Sequence, residues 1–354
     1  QRSYLSILHI LESEGISVTR SEIEIAYQVT KERRFKEGVN NSIYESSMPN
    51  LFDLNALEDF KSWHHSYKLI LKGILELKNI TIEKELEDFL NSLISTDEQL
   101  VDSYQNDQIE NIYDLESKEL AYLLRYSSVY AKDLIMIFEE FELIKNLSSF
   151  DKLNLTIVGP GPGFEVLALI QWMIEHNIFL TSKASTFNLI DKNKWKIGRN
   201  IIKEEINKNL LVEGLKDKLD IKESCIDFME LEEGQLAKSN ILVFQNCLNE
   251  ILTSYSSELV EKKIKSYLNA APKDSVLIFI DRDKYKITET FLEKMIQISS
   301  LLSFNIESYR WKKNYHPVTQ TQIPEILKDT IYNSSLSPTR RVKSTYLVLR
   351  KLDN

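Results

Sequence analysis

The sequence predicts an α/β protein: a doubly wound, mostly parallel seven-stranded sheet with an antiparallel edge hairpin, preceded by an all-helical N-terminal domain. Three observations carry this. After Asp151, short runs rich in Ile, Val, Leu and Phe alternate with helical stretches, and near-continuous apolar strands belong to a parallel sheet covered on both faces. Between Leu51 and Asp151 there is one glycine, Gly73, and no proline, while apolar residues recur at helical spacing. Three of the nine glycines, Gly159, Gly161 and Gly163, fall within five residues between the first strand and the next helix.

The 354 residues correspond to about two domains, and the change of texture places them at 1–150 and 151–354. With 43% hydrophobic and 27% charged residues, the chain is excluded from the disordered, collagen-like and disulfide-miniprotein classes. Cys225 and Cys247 form neither a C-x-x-C pair nor a disulfide framework. Residues 1–10 lack the basic start and apolar run of a secretory leader, and no window approaches the roughly 18 apolar residues of a membrane span. The expectation is a reduced, cytoplasmic protein with no membrane partner. The net charge of −9 is uneven: residues 1–150 hold 15 Lys+Arg against 27 Asp+Glu, and residues 151–354 hold 29 against 26. Nonspecific nucleic-acid binding needs a basic face that displaces counterions. Arg340, Arg341 and Lys343 make only a short cluster, so a nucleic-acid partner is not expected. A homodimer remains open.

In the first region, helical patterns run over 51–60, 63–75, 86–94, 109–124 and 129–143, with caps at Asn50-Leu-Phe-Asp and Ser95-Thr-Asp-Glu. Six or seven helices are expected. In the second region, strands are expected over 153–158, 186–190, 219–223, 240–245, 275–280, 304–311 and 345–352. Helices are expected over 164–176, 194–209, 259–271 and 286–300.

The glycine run admits backbone angles that a side chain forbids and lets a ligand approach the main chain. It stands at the carboxyl end of the first strand, where doubly wound sheets bind ligands. A tight turn without a ligand is the plainer reading, but one glycine suffices for a turn. The dinucleotide fingerprint fails because Phe164 stands where Gly or Ala is needed. Pro160 and Pro162 remove two N–H donors from any phosphate cradle, and no G-K-[ST] follows. A ligand without a pyrophosphate suits the loop better, which disfavours an NAD-dependent oxidoreductase.

The segment Leu155-Thr-Ile-Val-Gly-Pro-Gly-Pro-Gly-Phe-Glu165 resembles motif I of the class I (Rossmann-like) S-adenosylmethionine-dependent methyltransferases, and the resemblance covers about 150–354. It implies S-adenosyl-L-methionine as cofactor, with Gly159, Gly161 and Gly163 under its methionine and ribose portions. It further implies Asp191 at the ribose hydroxyls and the pair Asp227-Phe228 at the adenine. The acidic residue usual before the first glycine is missing, since Thr156, Ile157 and Val158 are uncharged. Contact with the cofactor's amino group then falls to Glu165 or to a water. On the residues alone, Asp191 can equally cap the next helix, and Asp227 can be a solvated carboxylate beside a core Phe228.

The fourth strand ends in Phe244-Gln-Asn-Cys-Leu-Asn-Glu-Ile251, which by position resembles motif IV of the family, the edge that faces the transferred methyl. The family's small-molecule O-methyltransferases carry Leu-His-Asp there; this chain has Leu248-Asn249-Glu250, and Asn249 cannot take a proton near neutral pH. The amide-type N-P-P-[YF] motif is absent. Gln245 would stand beside the cofactor, Asn246 and Asn249 would orient an acceptor, and Glu250 would serve as the base that a hydroxyl acceptor needs and an amine does not. Asn246 and Asn249 can also merely cap the turn. The expected function is methyl transfer to an amine or hydroxyl of a small-molecule, peptide or protein acceptor, with residues 1–150 covering the acceptor or binding a partner. The rival reading is a non-catalytic cofactor-binding module that acts through protein interactions. His64 and His65 read as a surface pair, and His316 is a candidate replacement base. The five histidines show no metal spacing, so no metal is expected.

Overall fold

The computed structural model describes residues 62–81, 83–105, 115–141, 143, 150–176, 184–210, 216–283, 285–301, 304–317, 336 and 341–351. The helix expected over 51–60 and its cap at Asn50 lie outside these residues. The chain forms two compact units, 1–51 and 52–354, and all described residues belong to the second.

The first helices of this unit are α1 (Ser62–Leu77), α2 (Glu83–Gln105) and α3 (Glu116–Glu140). An alternating series follows: β1 (Lys152–Val158), α4 (Phe164–Glu175), β2 (Ala184–Asp191), α5 (Lys196–Glu205), β3 (Leu219–Cys225), α6 (Glu233–Leu236), β4 (Ile241–Gln245), α7 (Leu248–Ser254), α8 (Ser257–Ala270), β5 (Val276–Arg282) and α9 (Lys286–Leu301). β6 (Phe304–Pro317) and β7 (Arg341–Lys351) close the sheet.

The sheet order is β3-β2-β1-β4-β5-β7-β6. The first five strands pair in parallel, and β7 runs antiparallel to both β5 and β6. The chain winds outward from β1 through β2 to β3, then resumes on the other side of β1 with β4 and β5. The order therefore reverses between β1 and β4, and in open α/β sheets ligands bind at that reversal.

The alternation of strand side chains divides the core in two. Ile241 and Val243 of β4, Ile278 and Ile280 of β5 and Val348 of β7 face one layer with α1 to α5. Leu242, Phe244, Leu277, Phe279 and Leu347 face the other, under α8 and α9.

The helices before β1 belong to the sheet's own core. Side chains from 67 to 143 form one cluster with β1, α4, β5 and β7, so the boundary expected at 150/151 falls inside a single compact unit. The reason is α3. Seventeen of its 25 residues are buried, Glu119, Ser127, Ser128, Lys132 and Asp133 among them, so the helix sits in the interior. Its polar groups are matched to the sheet. The Tyr130 carbonyl accepts from Gln245 Nε2 at 2.8 Å, Asp133 Oδ2 accepts from the Ser344 hydroxyl at 2.6 Å, and Glu140 accepts from the Tyr346 hydroxyl at 3.1 Å. The separate patterns expected over 109–124 and 129–143 meet in this one helix over 116–140. Likewise α2 runs through the cap expected at Ser95-Thr-Asp-Glu. Ser95 is exposed there, while Leu86, Leu90 and Leu93 keep one buried stripe.

Asp133 carries a pH dependence into the fold. Its Oδ1 has no hydrogen-bond partner, and burial pushes its carboxyl up to about 7 against the opposing Ser344 hydroxyl, Lys132 and Arg282. The folded chain thus holds a proton that the unfolded chain releases. This stabilisation is present at low pH and lost as pH rises from about 4 through about 7. Asp133→Asn should remove about one proton's worth of that slope and leave the variant at least as stable as the parent in weak alkali. Urea unfolding across that pH range checks it; parallel stability curves for the two proteins would contradict the assignment.

Candidate functional site

The glycine loop sits at the reversal point and is fixed by backbone geometry. Gly159, Gly161 and Gly163 have φ of 69°, 54° and 89°. A Cβ on Gly159 would lie 2.4 Å from Cys247 Cβ, so only glycine lets the loop after β1 touch the end of β4. At Gly161 an added Cβ would make ordinary contact with the Trp195 ring at 3.5 Å, on the side where the loop lines a cleft. Gly163 is the N-cap of α4 and is not among the cleft-lining residues.

Side chains lock the loop from below. Asp191 Oδ2 accepts from Gly161 N at 2.9 Å and Oδ1 accepts from Asn193 N at 2.8 Å. Arg199 Nε donates to the Gly161 carbonyl at 3.2 Å. Asp191 does not cap α5: the N-cap is Trp195 without a side-chain cap, and Glu119 of α3 accepts from Gly198 N at 2.7 Å. The alternative of a helix cap is set aside by that geometry.

The cleft encloses about 1020 Å³ including its open mouth. Gly159, Gly161, Glu165, Asp191, Asp227, Phe228, Gln245, Asn246, Asn249 and Glu250 all line it. Glu165, in the first turn of α4, is 3% exposed, and its Oε2 has no hydrogen-bond partner. Burial raises its pKa well above the usual carboxylate value, with the neighbouring Asp191 charge adding to the effect. Asp191 and Glu250 are raised by burial too. Farther along, Asp227 Oδ1 accepts from Met229 N at 2.8 Å. Phe228 lies edge-on to Phe244 with centroids 4.9 Å apart, and with Ile226 and Ile251 it gives this end apolar walls.

The residues after β4 divide in role. Gln245 donates to the Tyr130 carbonyl and so anchors α3. Asn246, at a left-handed φ of 54°, has neither Nδ2 nor Oδ1 partnered although both are buried. Asn249 N donates to Asp281 Oδ2 at 2.9 Å. Glu250 lies 3.5 Å from Lys192 Nζ.

The sequence reading missed the rest of the lining: Tyr122, Tyr130, Trp195, Asp281 and Arg282 among others. Tyr126 and Tyr130 stack at 5.5 Å, and Tyr122 lies 5.0 Å from both Tyr126 and Trp195. The signal was present as tyrosines at i, i+4 and i+8, one face of a helix. Side chains of His316, Arg340 and Arg341 lie outside the described residues. Among the described residues, no group of three or more His, Cys, Asp or Glu side chains is placed to hold a metal ion, and no helix is long and apolar enough to cross a membrane.

No family model and no curated protein matches the sequence. Solved structures similar to the chain include methyltransferases. They include an rRNA methylase from Streptococcus thermophilus (11% identity, TM-score 0.34, 59% of this chain and 94% of that one). The N-methyltransferase NodS from Bradyrhizobium japonicum shares 13% identity at a TM-score of 0.31, over 61% and 96% of the two chains. The plantazolicin methyltransferase BpumL in complex with SAH shares 13% at 0.33, over 77% and 98%.

Gly159→Ala tests the loop. The side chain would meet Cys247 backed by the sheet, in a left-handed backbone region worth about 1–2 kcal/mol, with overpacking adding about 1–3 kcal/mol. Gly161→Ala should lose only the backbone part. Urea midpoints should rank parent, Gly161→Ala, Gly159→Ala; equal loss in both variants would remove the Cys247 contact as the constraint.

Proposed function

We propose that the cleft binds S-adenosylmethionine and that the chain is a methyltransferase. The observation that carries this reading is Glu165: a buried, partly unpartnered carboxylate beside a glycine loop at the reversal point of the sheet. A buried carboxylate is costly without a counter-charge, and an ammonium group against Oε2 would supply one. The wider cleft agrees. The lining carboxylates Glu165, Asp191, Asp227, Glu250 and Asp281 outnumber the lining cations Lys192 and Arg282, which suits a ligand bearing positive charge.

In this reading Glu165 takes the amino group, Asp191 the ribose, and Asp227 with Phe228 the adenine. Bound there, the cofactor supplies a methyl group on a sulfonium sulfur, open to in-line displacement. The chain's task is alignment, which can contribute about 7–11 kcal/mol. Asn246, with donor and acceptor both unmatched, holds the acceptor nucleophile, and Asn249 narrows the same wall. Glu250 closes the cofactor side through its pairing with Lys192. Asp281 accepts from the backbone N–H groups of Asn249 and Arg282 with both oxygens. With those carboxylates committed, an amine acceptor, which can lose its proton to solvent, fits better than a hydroxyl. The helices α1 to α3, with α3 presenting Tyr122 and Tyr130, cover the acceptor side.

Isothermal titration with S-adenosylhomocysteine, and in parallel NADH, tests the reading. The raised carboxyl of Glu165 must release its proton to pair with an ammonium. Binding should therefore release protons to the buffer and tighten as pH rises through that group's raised pKa. Glu165→Gln should abolish the proton release and weaken binding about 10- to 150-fold, the equivalent of about 1.5–3 kcal/mol for a hydrogen bond to a charged group. NADH binding with no heat from S-adenosylhomocysteine would overturn the proposal.

A further inference from the structure

We propose that Arg282 is a carboxylate-recognition element in the acceptor half of the cleft, so that the acceptor is a small molecule bearing a carboxylate. The inference rests on the cofactor reading above, because that reading assigns the β1, β2 and β3 ends of the cleft to the cofactor. Arg282 ends β5 and lines the cleft beyond β4. In the order β1-β4-β5 it stands two strands from the glycine loop, about 10 Å at the usual strand spacing.

Its environment is the argument. The guanidinium lies over the rings of Tyr126 and Tyr130, 5.6 and 5.5 Å from their centroids, and donates from Nη2 to the Tyr130 hydroxyl. Neither carboxylate nearby answers its charge directly. Asp281 turns its oxygens to the Asn249 and Arg282 backbone N–H groups, and Asp133 accepts from Ser344. A guanidinium presents five donors in a fork that matches a carboxylate in two parallel bonds. Here the fork is held by aromatic faces, opens onto the cleft, and forms no ion pair among the described residues. Lys192, the other cation of the lining, is instead paired with Glu250.

The surrounding charge limits the class of anion. Five carboxylates line the cleft, so a polyphosphate chain would meet repulsion along most of its length. A single carboxylate at Arg282 avoids this. Tyr122, Tyr130 and Trp195 supply flat apolar surface for the body of the same molecule, and Asn246 lies between it and the glycine loop.

Benzoate, benzamide and benzylamine are the probes, titrated into the full chain with and without saturating S-adenosylhomocysteine and followed by tryptophan fluorescence. Benzoate should bind at least tenfold more tightly than benzamide or benzylamine, and Arg282→Gln should erase that preference while S-adenosylhomocysteine affinity stays within twofold. Tyr130→Phe, which removes the hydroxyl acceptor and keeps the ring, should preserve the benzoate preference, and it serves if Arg282→Gln does not fold. Equal binding of the three probes, or a benzoate preference that survives in Arg282→Gln, would overturn the proposal. So would a tenfold loss of S-adenosylhomocysteine affinity in that variant, which would put the cofactor's own carboxylate on Arg282. Absence of S-adenosylhomocysteine binding to the parent would instead defeat the cofactor reading, while the benzoate titration without it still reports on Arg282.

Discussion

The carboxyl edge of the sheet depends on there being no side chain at position 159. Gly159 presses against Cys247 where even a methyl group would overlap, and that contact joins the loop after β1 to the end of β4. With the two strand ends closed together, Gly161 faces the cleft, its N–H is held by Asp191, and Glu165 is carried into the first turn of α4 with one oxygen unmatched. A larger residue at 159 would separate β1 from β4 at the point where the winding reverses. The cleft is thus set by a steric constraint in the backbone, and its charges are set by what that backbone buries.

The second dependence is on α3. A buried helix crossing the sheet is an expensive place for polar groups unless each finds a partner. Gln245 on β4, Gly198 on α5 and Ser344 and Tyr346 on β7 supply partners for the Tyr130 carbonyl, Glu119, Asp133 Oδ2 and Glu140. These bonds fix the rotation of α3, and the rotation decides which tyrosines face the cleft. Arg282 is positioned by the same rotation, because it stacks on Tyr126 and Tyr130. The aromatic wall of the cleft is therefore a by-product of how α3 is anchored, and the anchor on β4 is Gln245.

Much of this was legible in the sequence. The strands announce themselves as apolar runs because both faces of the sheet are covered, and the expected ranges for β1 through β5 fall within about two residues of the observed ones, the usual uncertainty of element ends. Gly159, Gly161 and Asp191 were legible as residues of the strand-end cleft because backbone freedom and a carboxylate at a strand end are local signals, whereas Gly163 caps α4 instead. What was not legible depends on distant contacts. Tyr130 meets Arg282 across 152 residues of chain and Gln245 across 115, and no local pattern reports such a meeting. In the same way, the helical texture before Asp151 says what α3 is, not what it packs against. Ser95 looked like a cap because Ser and Thr favour helix starts, whereas α2 runs on through it to Gln105 with the Ser95 side chain exposed.

A crystal structure of the chain soaked with S-adenosylhomocysteine tests the central claim most directly. The account predicts the amino group within hydrogen-bonding distance of Glu165 Oε2, the ribose at Asp191, and the adenine between Ile226, Phe228 and Ile251. Ligand bound outside this cleft, or bound within it with Glu165 facing no cation, would contradict it.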